Sequence, residues 1–355
     1  MPENINSDLV LVSPKSGECV PLLRKDWKRL VGKRKQFYGK NVNLKNLHHP
    51  LPVHFEWCGG VKPYTLTVCG GGKNYEIKNL QSCNYDFFNL FTGTQYQWTV
   101  KCAAGGCAAG VFRTEQTMRL IELPVHYGGP VNIRDIGGCA SVFGSRVKQG
   151  IIYRGSQNIW DDGFVNIFDQ NGIARNDKAV DVPGFAAANG EFMRNELGIR
   201  TELDFRYACQ IEEGNVTGSF LGEDVNWIHI PIDAYNSFTG EQSVLFKKVF
   251  RLFADEKNYP FYFHCYGGVD RTGEVAFLLN ALAGVAEEDL FNDYEASSLS
   301  LFPRPRTIPY FQQFIEKIAS YSPNGTPLAE QVWNYMSAIG VAEYEIAAVR
   351  KNMLE

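Results

Sequence analysis

The sequence predicts an α/β domain, a central and mostly parallel sheet flanked by helices, preceded by a small all-β sandwich. Three observations predict it. Between Leu51 and about Thr114, apolar and polar residues alternate in short runs separated by glycine turns, the pattern of half-buried strands. Beyond about residue 120, compact apolar runs alternate with segments of helical periodicity, as in a layered α/β domain. The nine cysteines are also uneven: Cys19, Cys58, Cys69, Cys83, Cys102 and Cys107 precede residue 120, while Cys139, Cys209 and Cys265 follow it. The expected domains are therefore residues 1–119 and 120–355.

In the first part, His54-Phe55-Glu56-Trp57, Tyr64-Thr65-Leu66-Thr67-Val68 and Tyr96-Gln97-Trp98-Thr99-Val100 each alternate as strands. Gly59-Gly60, Gly70-Gly71-Gly72, Gly93 and Gly105-Gly106 supply the turns. Residues 1–50 are weakly periodic, with six Lys or Arg between Lys25 and Lys35. Trp57, Tyr64-x-Leu-x-Val and Leu90 with Tyr96-x-Trp-x-Val resemble a fibronectin type III or immunoglobulin-like module. That resemblance implies that Trp57 and Tyr96 are the buried Trp and the late-strand Tyr.

In the second part, Gly150–Arg154, Arg200–Phe205 and Asn226–Pro231 read as strands, with Glu191–Leu197 as a helix. Tyr259–His264 is nearly all apolar, as expected of a strand covered on both faces. Arg271–Ala283, Pro309–Ser320, Leu328–Ile339 and Ala342–Leu354 carry apolar residues at helical spacing.

Composition limits what such a chain can do. It has 355 residues, 45% hydrophobic and 21% charged, with a formal net charge of -4. At roughly 100–200 residues per domain, two or three domains are expected. The balance of charge argues against a nucleic-acid partner but leaves room for one small anion pocket. No apolar run approaches the ~18–20 residues that span a bilayer. Residues 1–10 show neither the basic nor the apolar region of a signal peptide.

The chemistry lies in Phe261-Tyr262-Phe263-His264-Cys265-Tyr266-Gly267-Gly268-Val269-Asp270-Arg271-Thr272-Gly273. A loop between a buried strand and a helix turns backbone N–H groups inward and forms an anion cradle. Tyr266, Gly267, Gly268, Val269, Asp270 and Arg271 are the expected phosphate-binding residues. Gly267 and Gly268 let the backbone approach the anion, and Arg271 can hold two of its oxygens. Cys265, at the focus of these partial charges, is expected to be a nucleophilic thiolate. Thr272 can hydrogen-bond the sulfur when it departs. A merely buried cysteine would explain the sulfur but not the glycines, Arg271 and Thr272 around it.

His-Cys-x5-Arg-Thr resembles the signature of the cysteine-based tyrosine phosphatases. Asn132–Gly138, Lys148–Ser156, Leu197–Arg200, Asp204-Phe205-Arg206, Asp293–Ser297 and Ile339–Val341 with Arg350 extend the likeness, specifically to the bacterial tyrosine phosphatase family. About 230 residues are covered. The resemblance implies metal-independent hydrolysis of phosphotyrosine through a cysteinyl-phosphate, with no cofactor. Family members also include phosphoinositide phosphatases, so an inositol-phosphate substrate is the alternative. The family's loop often carries Gly-Lys-Asp-Arg-Thr where this chain has Gly268-Val269-Asp270-Arg271-Thr272. Loss of that cation favours a phosphoprotein or small phosphomonoester. A phosphate-binding pseudoenzyme is the non-catalytic alternative.

The resemblance makes Asp270 the leading general acid, with Asp233 after the third strand as the other candidate. Either Asp also has a structural reading, as an ion-pair partner or a cap. Arg134 and Asp135 read as a salt bridge supporting the site, and Asp204 with Arg206 is similarly open. His264 is expected to tune the thiolate through hydrogen bonds. His48-His49 and the other histidines show no metal spacing, and Cys102-x4-Cys107 reads as a turn or a disulfide. The first domain is expected to bind an unknown partner or shape the entrance. Its presence favours an exported, periplasmic location with a signal removed, a cytoplasmic one being the alternative.

Overall fold

The computed structural model describes residues 8–31, 49–124, 130–158, 164–168, 174–178, 183–238, 240–299 and 308–355. Lys33, Arg34, Lys35 and His48 lie outside the described residues. Contacts divide the chain into two compact units, Met1–Arg24 with His49–Glu122, and Lys25–His48 with Leu123–Glu355.

The first unit carries β1 (Val10–Ser13), β2 (Cys19–Val20), β3 (Val53–Cys58), β4 (Tyr64–Gly70), β5 (Lys73–Leu80), β6 (Asn84–Phe87), β7 (Gln95–Cys102), β8 (Cys107–Thr114) and the short β9 (Arg119–Leu120). Three strands pair in the order β1-β3-β6, and five in the order β2-β8-β7-β4-β5. The period-2 alternation is the cause of their burial: β3 hides Val53, Phe55 and Trp57 and exposes His54, Glu56 and Cys58. Phe55 meets Trp98 and Phe112 of the other sheet edge-on, at ring separations of 5.1 and 5.6 Å. Trp57 and Tyr96 are both buried, and the Tyr96 hydroxyl accepts the Phe91 N–H at 2.8 Å. Cys102 and Cys107 flank the β7–β8 turn as free thiols.

In the second unit, β10 (Arg134–Asp135), β11 (Ile152–Ser156), β14 (Thr201–Asp204), β15 (Asn226–His229) and β16 (Phe261–Cys265) lie in the order β15-β14-β16-β11-β10. Between β11 and β14 come a hairpin of β12 (Phe164–Phe168) and β13 (Ala174–Lys178), then helix α2 (Pro183–Asn195) after the earlier α1 (Lys25–Leu30). β11, β16, β14 and β15 pair in parallel, and β10 joins β11 antiparallel. β16 is central, so all five of its residues are buried. That explains its lack of alternation.

Helices α3 (Ala208–Glu213), α4 (Gly240–Ala254), α5 (Asp270–Leu282), α6 (Glu287–Ala296), α7 (Ile308–Ala319), α8 (Leu328–Ala338) and α9 (Glu343–Met353) complete the unit. α5 is buried without a break from Thr272 to Leu282, which makes it the inner helix. Phe261 and Phe263 of β16 pack on Phe253 of α4, while Tyr262 and His264 stack on the opposite face under Phe220. Among the described residues, no helix is long and apolar enough to cross a membrane.

Parallel strands collect their carboxyl ends on one edge, where open α/β sheets bind ligands. Ser156, Asp204, His229 and Cys265 end β11, β14, β15 and β16 there. The strength of this platform is testable at Phe263, fully buried against Phe205 and Phe253. Phe263→Ala should lower stability by about 3–5 kcal/mol, read as a fall in the urea midpoint.

Candidate active site

Cys265 is the last residue of β16, and residues 266–269 turn directly into α5. The loop is shaped by what its carbonyls find on the outside. Gln157 N–H donates to the carbonyls of Cys265 and Tyr266 at 2.8 and 3.2 Å. Asn132 Nδ2 donates to those of Gly267 and Gly268 at 3.4 and 3.0 Å. Arg154 Nη2 donates to those of Gly268 and Val269 at 2.9 and 3.3 Å. Five successive carbonyls are thus held outward, and a planar trans peptide then aims its N–H the other way, towards the centre of the loop. Gly268 sits at φ +67, and a Cβ there would lie 2.1 Å from the Gly155 carbonyl oxygen, so only glycine fits.

Cys265 is only 3% exposed. Burial opposes its ionisation. The Arg271 guanidinium, the hydroxyl and N–H of Thr272 and the Val269 N–H outweigh that, and the thiol is held below its ordinary range. Thr272 is fully buried, and its hydroxyl has no oxygen or nitrogen partner, which leaves it to the sulfur. Arg271 is aimed from behind: Nη1 donates to the Phe205 carbonyl at 2.8 Å and to Gln210 Oε1 at 3.3 Å, and the guanidinium lies 4.3 Å from the Tyr207 ring centre.

Behind the loop sits a buried cluster of charge. Asp293 on α6 accepts from Arg134 Nε at 2.5 Å and from Arg154 Nη1. Arg134 also reaches the Asn132 side chain at 2.6 Å. Burial and the neighbouring Arg134 push Arg154 down to about 10, while Asp293 and Cys265 act the other way. Burial alone would raise Asp293, but the two guanidiniums hold its carboxyl below the usual range.

A second cluster lies under the strand ends. His264 is fully buried, with Nε2 2.9 Å from Glu202 Oε1 and Nδ1 3.3 Å from the Cys265 carbonyl. Burial disfavours its charge, but Asp204 and Glu202 raise it above the ordinary value. Donor atoms of Glu202, Asp204 and His264 fall within 4.8 Å of one another, a set a metal ion could use. Arg206, however, donates to both Asp204 oxygens, which are thereby engaged. Burial acts against the Asp204 charge, yet His264 and Arg206 bring it down to about 2.

Against that geometry, residues 180–355 match the model of the tyrosine phosphatase family. The second unit of this chain belongs to the tyrosine phosphatase family. A tyrosine-protein phosphatase of Nostoc commune is 36% identical over 74 residues, 21% of this chain and 25% of that protein. A putative tyrosine-protein phosphatase of Cupriavidus necator is 26% identical over 192 residues, 47% of this chain and 60% of that one. The chain therefore spans a quarter to three-fifths of the curated relatives it matches. The core catalytic domain of the PP-IP phosphatase SIW14 from S. cerevisiae, in complex with citrate, is 19% identical and covers 38% of this chain and 80% of its own. Its TM-score is 0.26.

Of the expected loop residues, Arg271, Thr272 and the Val269 N–H act on the Cys265 sulfur. The expected Arg134–Asp135 salt bridge is corrected: Arg134 pairs with Asp293, and Asp135 instead accepts the N–H groups of Gly137 and Gly150. Adjacent residues on a strand point to opposite faces, so they are poorly placed to pair. Of the two candidate acids, Asp270 begins α5 and accepts the Tyr235 hydroxyl at 2.9 Å. Asp233 takes the Gln242 side chain at its N–H and borders the Tyr207 hydroxyl, whose ring covers Arg271. Sequence reasoning missed Arg154, Asp293, Asn132 and Tyr235 as site residues. The first three lay inside motifs already singled out; Tyr235 carried no signal.

Two outcomes follow from this geometry. Asp293→Asn leaves two buried guanidiniums without their anion, so stability should fall by about 3–5 kcal/mol, and activity with it, in paired denaturation and rate measurements. Glu274 on α5 is also fully buried, accepting the Tyr235 N–H at 2.7 Å, with the Ser237 hydroxyl nearby but not aligned. Burial raises it from 4.5 to about 8. The folded protein keeps this proton where the unfolded chain releases it, so the stability it contributes is full below 4.5 and is lost as pH rises through about 8. Between those values the urea-derived stability of wild type relative to Glu274→Gln should fall by about 1.4 kcal/mol per pH unit.

Proposed function

We propose that the protein is a metal-independent phosphatase that hydrolyses phosphotyrosine monoesters, with Cys265 as nucleophile. The observation that carries this reading is a thiol depressed by Arg271, Thr272 and loop N–H groups at the centre of an inward-facing backbone cradle. Cys265 Sγ attacks phosphorus, and the S–P bond forms as the ester P–O bond breaks. Asp270 gives its proton to the departing oxygen. A water molecule then attacks the cysteinyl-phosphate, Asp270 takes its proton, and the P–S bond electrons return to a thiolate facing Thr272. Arg271 and the loop N–H groups carry the charge on the phosphoryl oxygens.

Two features support an aryl substrate. Tyr207 and Tyr266 are 39% and 42% exposed, and the Tyr207 ring centre lies 4.3 Å from the Arg271 guanidinium, where it can flank a phosphotyrosine ring. Val269 is buried at 4% exposure and brings no cation to the cradle, which fits a substrate with one phosphate. We read the first unit, with two sheets sharing one aromatic core, as a β-sandwich of the fibronectin type III or immunoglobulin kind.

Wild type should turn over an aryl phosphate at the same rate with and without chelator, and Cys265→Ser should be inactive. A phosphotyrosine peptide should be preferred over a phosphoserine peptide, a phosphoinositide and phytate when kcat/KM is compared. Asp270→Asn should cost about 10²-fold or more, with Asp233→Asn much milder. Chelator-sensitive turnover, or activity in Cys265→Ser, would overturn the mechanism; preference for the phosphoinositide or phytate would overturn the substrate.

A further inference from the structure

Tyr235 lies outside every recognised motif, yet the structure grips it at both ends. Its hydroxyl is 2.9 Å from Asp270 Oδ1 and 2.6 Å from the Tyr294 hydroxyl. Its N–H donates to Glu274 Oε2 at 2.7 Å. Asp270 and Glu274 are four residues apart on α5 and so share one face of the helix. One helical turn therefore holds both the backbone and the side-chain tip of Tyr235.

The backbone confirms that this grip is imposed. Tyr235 has φ +60, a left-handed conformation that a bulky side chain rarely adopts. Such a conformation persists where surrounding contacts over-determine it, and it concentrates at working sites. Tyr294, which meets the Tyr235 hydroxyl, is in turn fixed by stacking on Phe311 at 4.2 Å and 7°. The phenol is thus placed by three elements rather than by its own loop.

Its chemical effect is directional. Burial, Tyr294 and Asp270 all raise the Tyr235 phenol far above its ordinary value, so it remains a donor. A carboxylate oxygen that accepts a phenol proton is the poorer site for a second proton. An acid proton on Asp270 then resides on Oδ2, and the rotation of the carboxyl is fixed by the bond at Oδ1. We infer that Tyr235 is the positioning residue of the proton transfer, holding Asp270 by Oδ1 so that Oδ2 delivers the proton to the leaving oxygen. This rests on the reading of Asp270 as the acid in the phosphatase mechanism above.

Leaving-group dependence tests it in the full chain. Phenyl phosphate expels a poor leaving group and needs the acid; p-nitrophenyl phosphate expels a good one and needs it little. The ratio of their kcat/KM values reports proton delivery in the first chemical step, and general damage to the fold would lower both alike. In Tyr235→Phe the ratio should shift against phenyl phosphate by about tenfold or more, within the range of acid catalysis. The same substitution made in Asp270→Asn should shift it no further. Tyr294→Phe, which retains the Tyr235–Asp270 bond but loses its support, should shift the ratio in the same direction by less. It also decides the matter if circular dichroism shows Tyr235→Phe unfolded. An unchanged ratio in the folded variants overturns the role of Tyr235. A wild type inactive on both substrates, or activity surviving Cys265→Ser, overturns the underlying mechanism instead.

Discussion

One carboxylate, Asp293, underpins the loop that carries Cys265. Arg134 and Arg154 are 1% and 0% exposed, and two buried like charges would repel without an anion between them. Asp293 supplies that anion from α6, so each guanidinium keeps its remaining N–H groups for other work. Arg154 spends them on the carbonyls of Gly268 and Val269, and Arg134 orients Asn132, which holds those of Gly267 and Gly268. The cradle is therefore a consequence of cations placed outside it. Backbone polarity transmits their orientation inward, where an anion is to bind.

The same logic explains how a buried thiol is held below its ordinary range. Desolvation alone would raise Cys265, as it raises Cys139, pushed up to about 12 by burial and nearby Asp289 and Asp293. The two thiols differ in what faces them. Cys265 looks at Arg271, a hydroxyl and backbone N–H groups; Cys139 looks at carboxylates. Arg271 can face the sulfur because Phe205, Gln210 and Tyr207 hold it from behind. The contacts that matter are again those on the far side of the working atoms.

How much of this was legible in the sequence follows the range of each interaction. The strand, the glycines, Arg271 and Thr272 form one contiguous stretch, so local pattern sufficed for the loop and for the strand–loop–helix around it. Alternation likewise exposed β3, β4 and β7, because period 2 needs no partner to be visible. Pairings did not show. Arg134 looked matched to its neighbour Asp135, while its true partner is 159 residues away. Asp293 and Arg154 stood inside motifs that marked them without saying what they touch. Glu274 appeared as an ordinary helical carboxylate; only enclosure by α5 and its neighbours makes it a proton store.

Tyr235 was the least legible residue because nothing about it is local. A tyrosine two residues past Asp233 has no sequence pattern that distinguishes it from a rim residue. Its position arises from an i, i+4 pair on α5, one oxygen of which takes its N–H and another its hydroxyl. That arrangement also separates the two candidate acids. Asp270 is fixed through a donor that is itself fixed by Tyr294 and Glu274, whereas Asp233 borders an exposed tyrosine ring at the rim. Proton transfer depends steeply on where the donor atom is held. On the proposed mechanism, Asp270, held on the inner helix, is therefore the better-placed acid, and Asp233 beside Tyr207 is better suited to touching what enters.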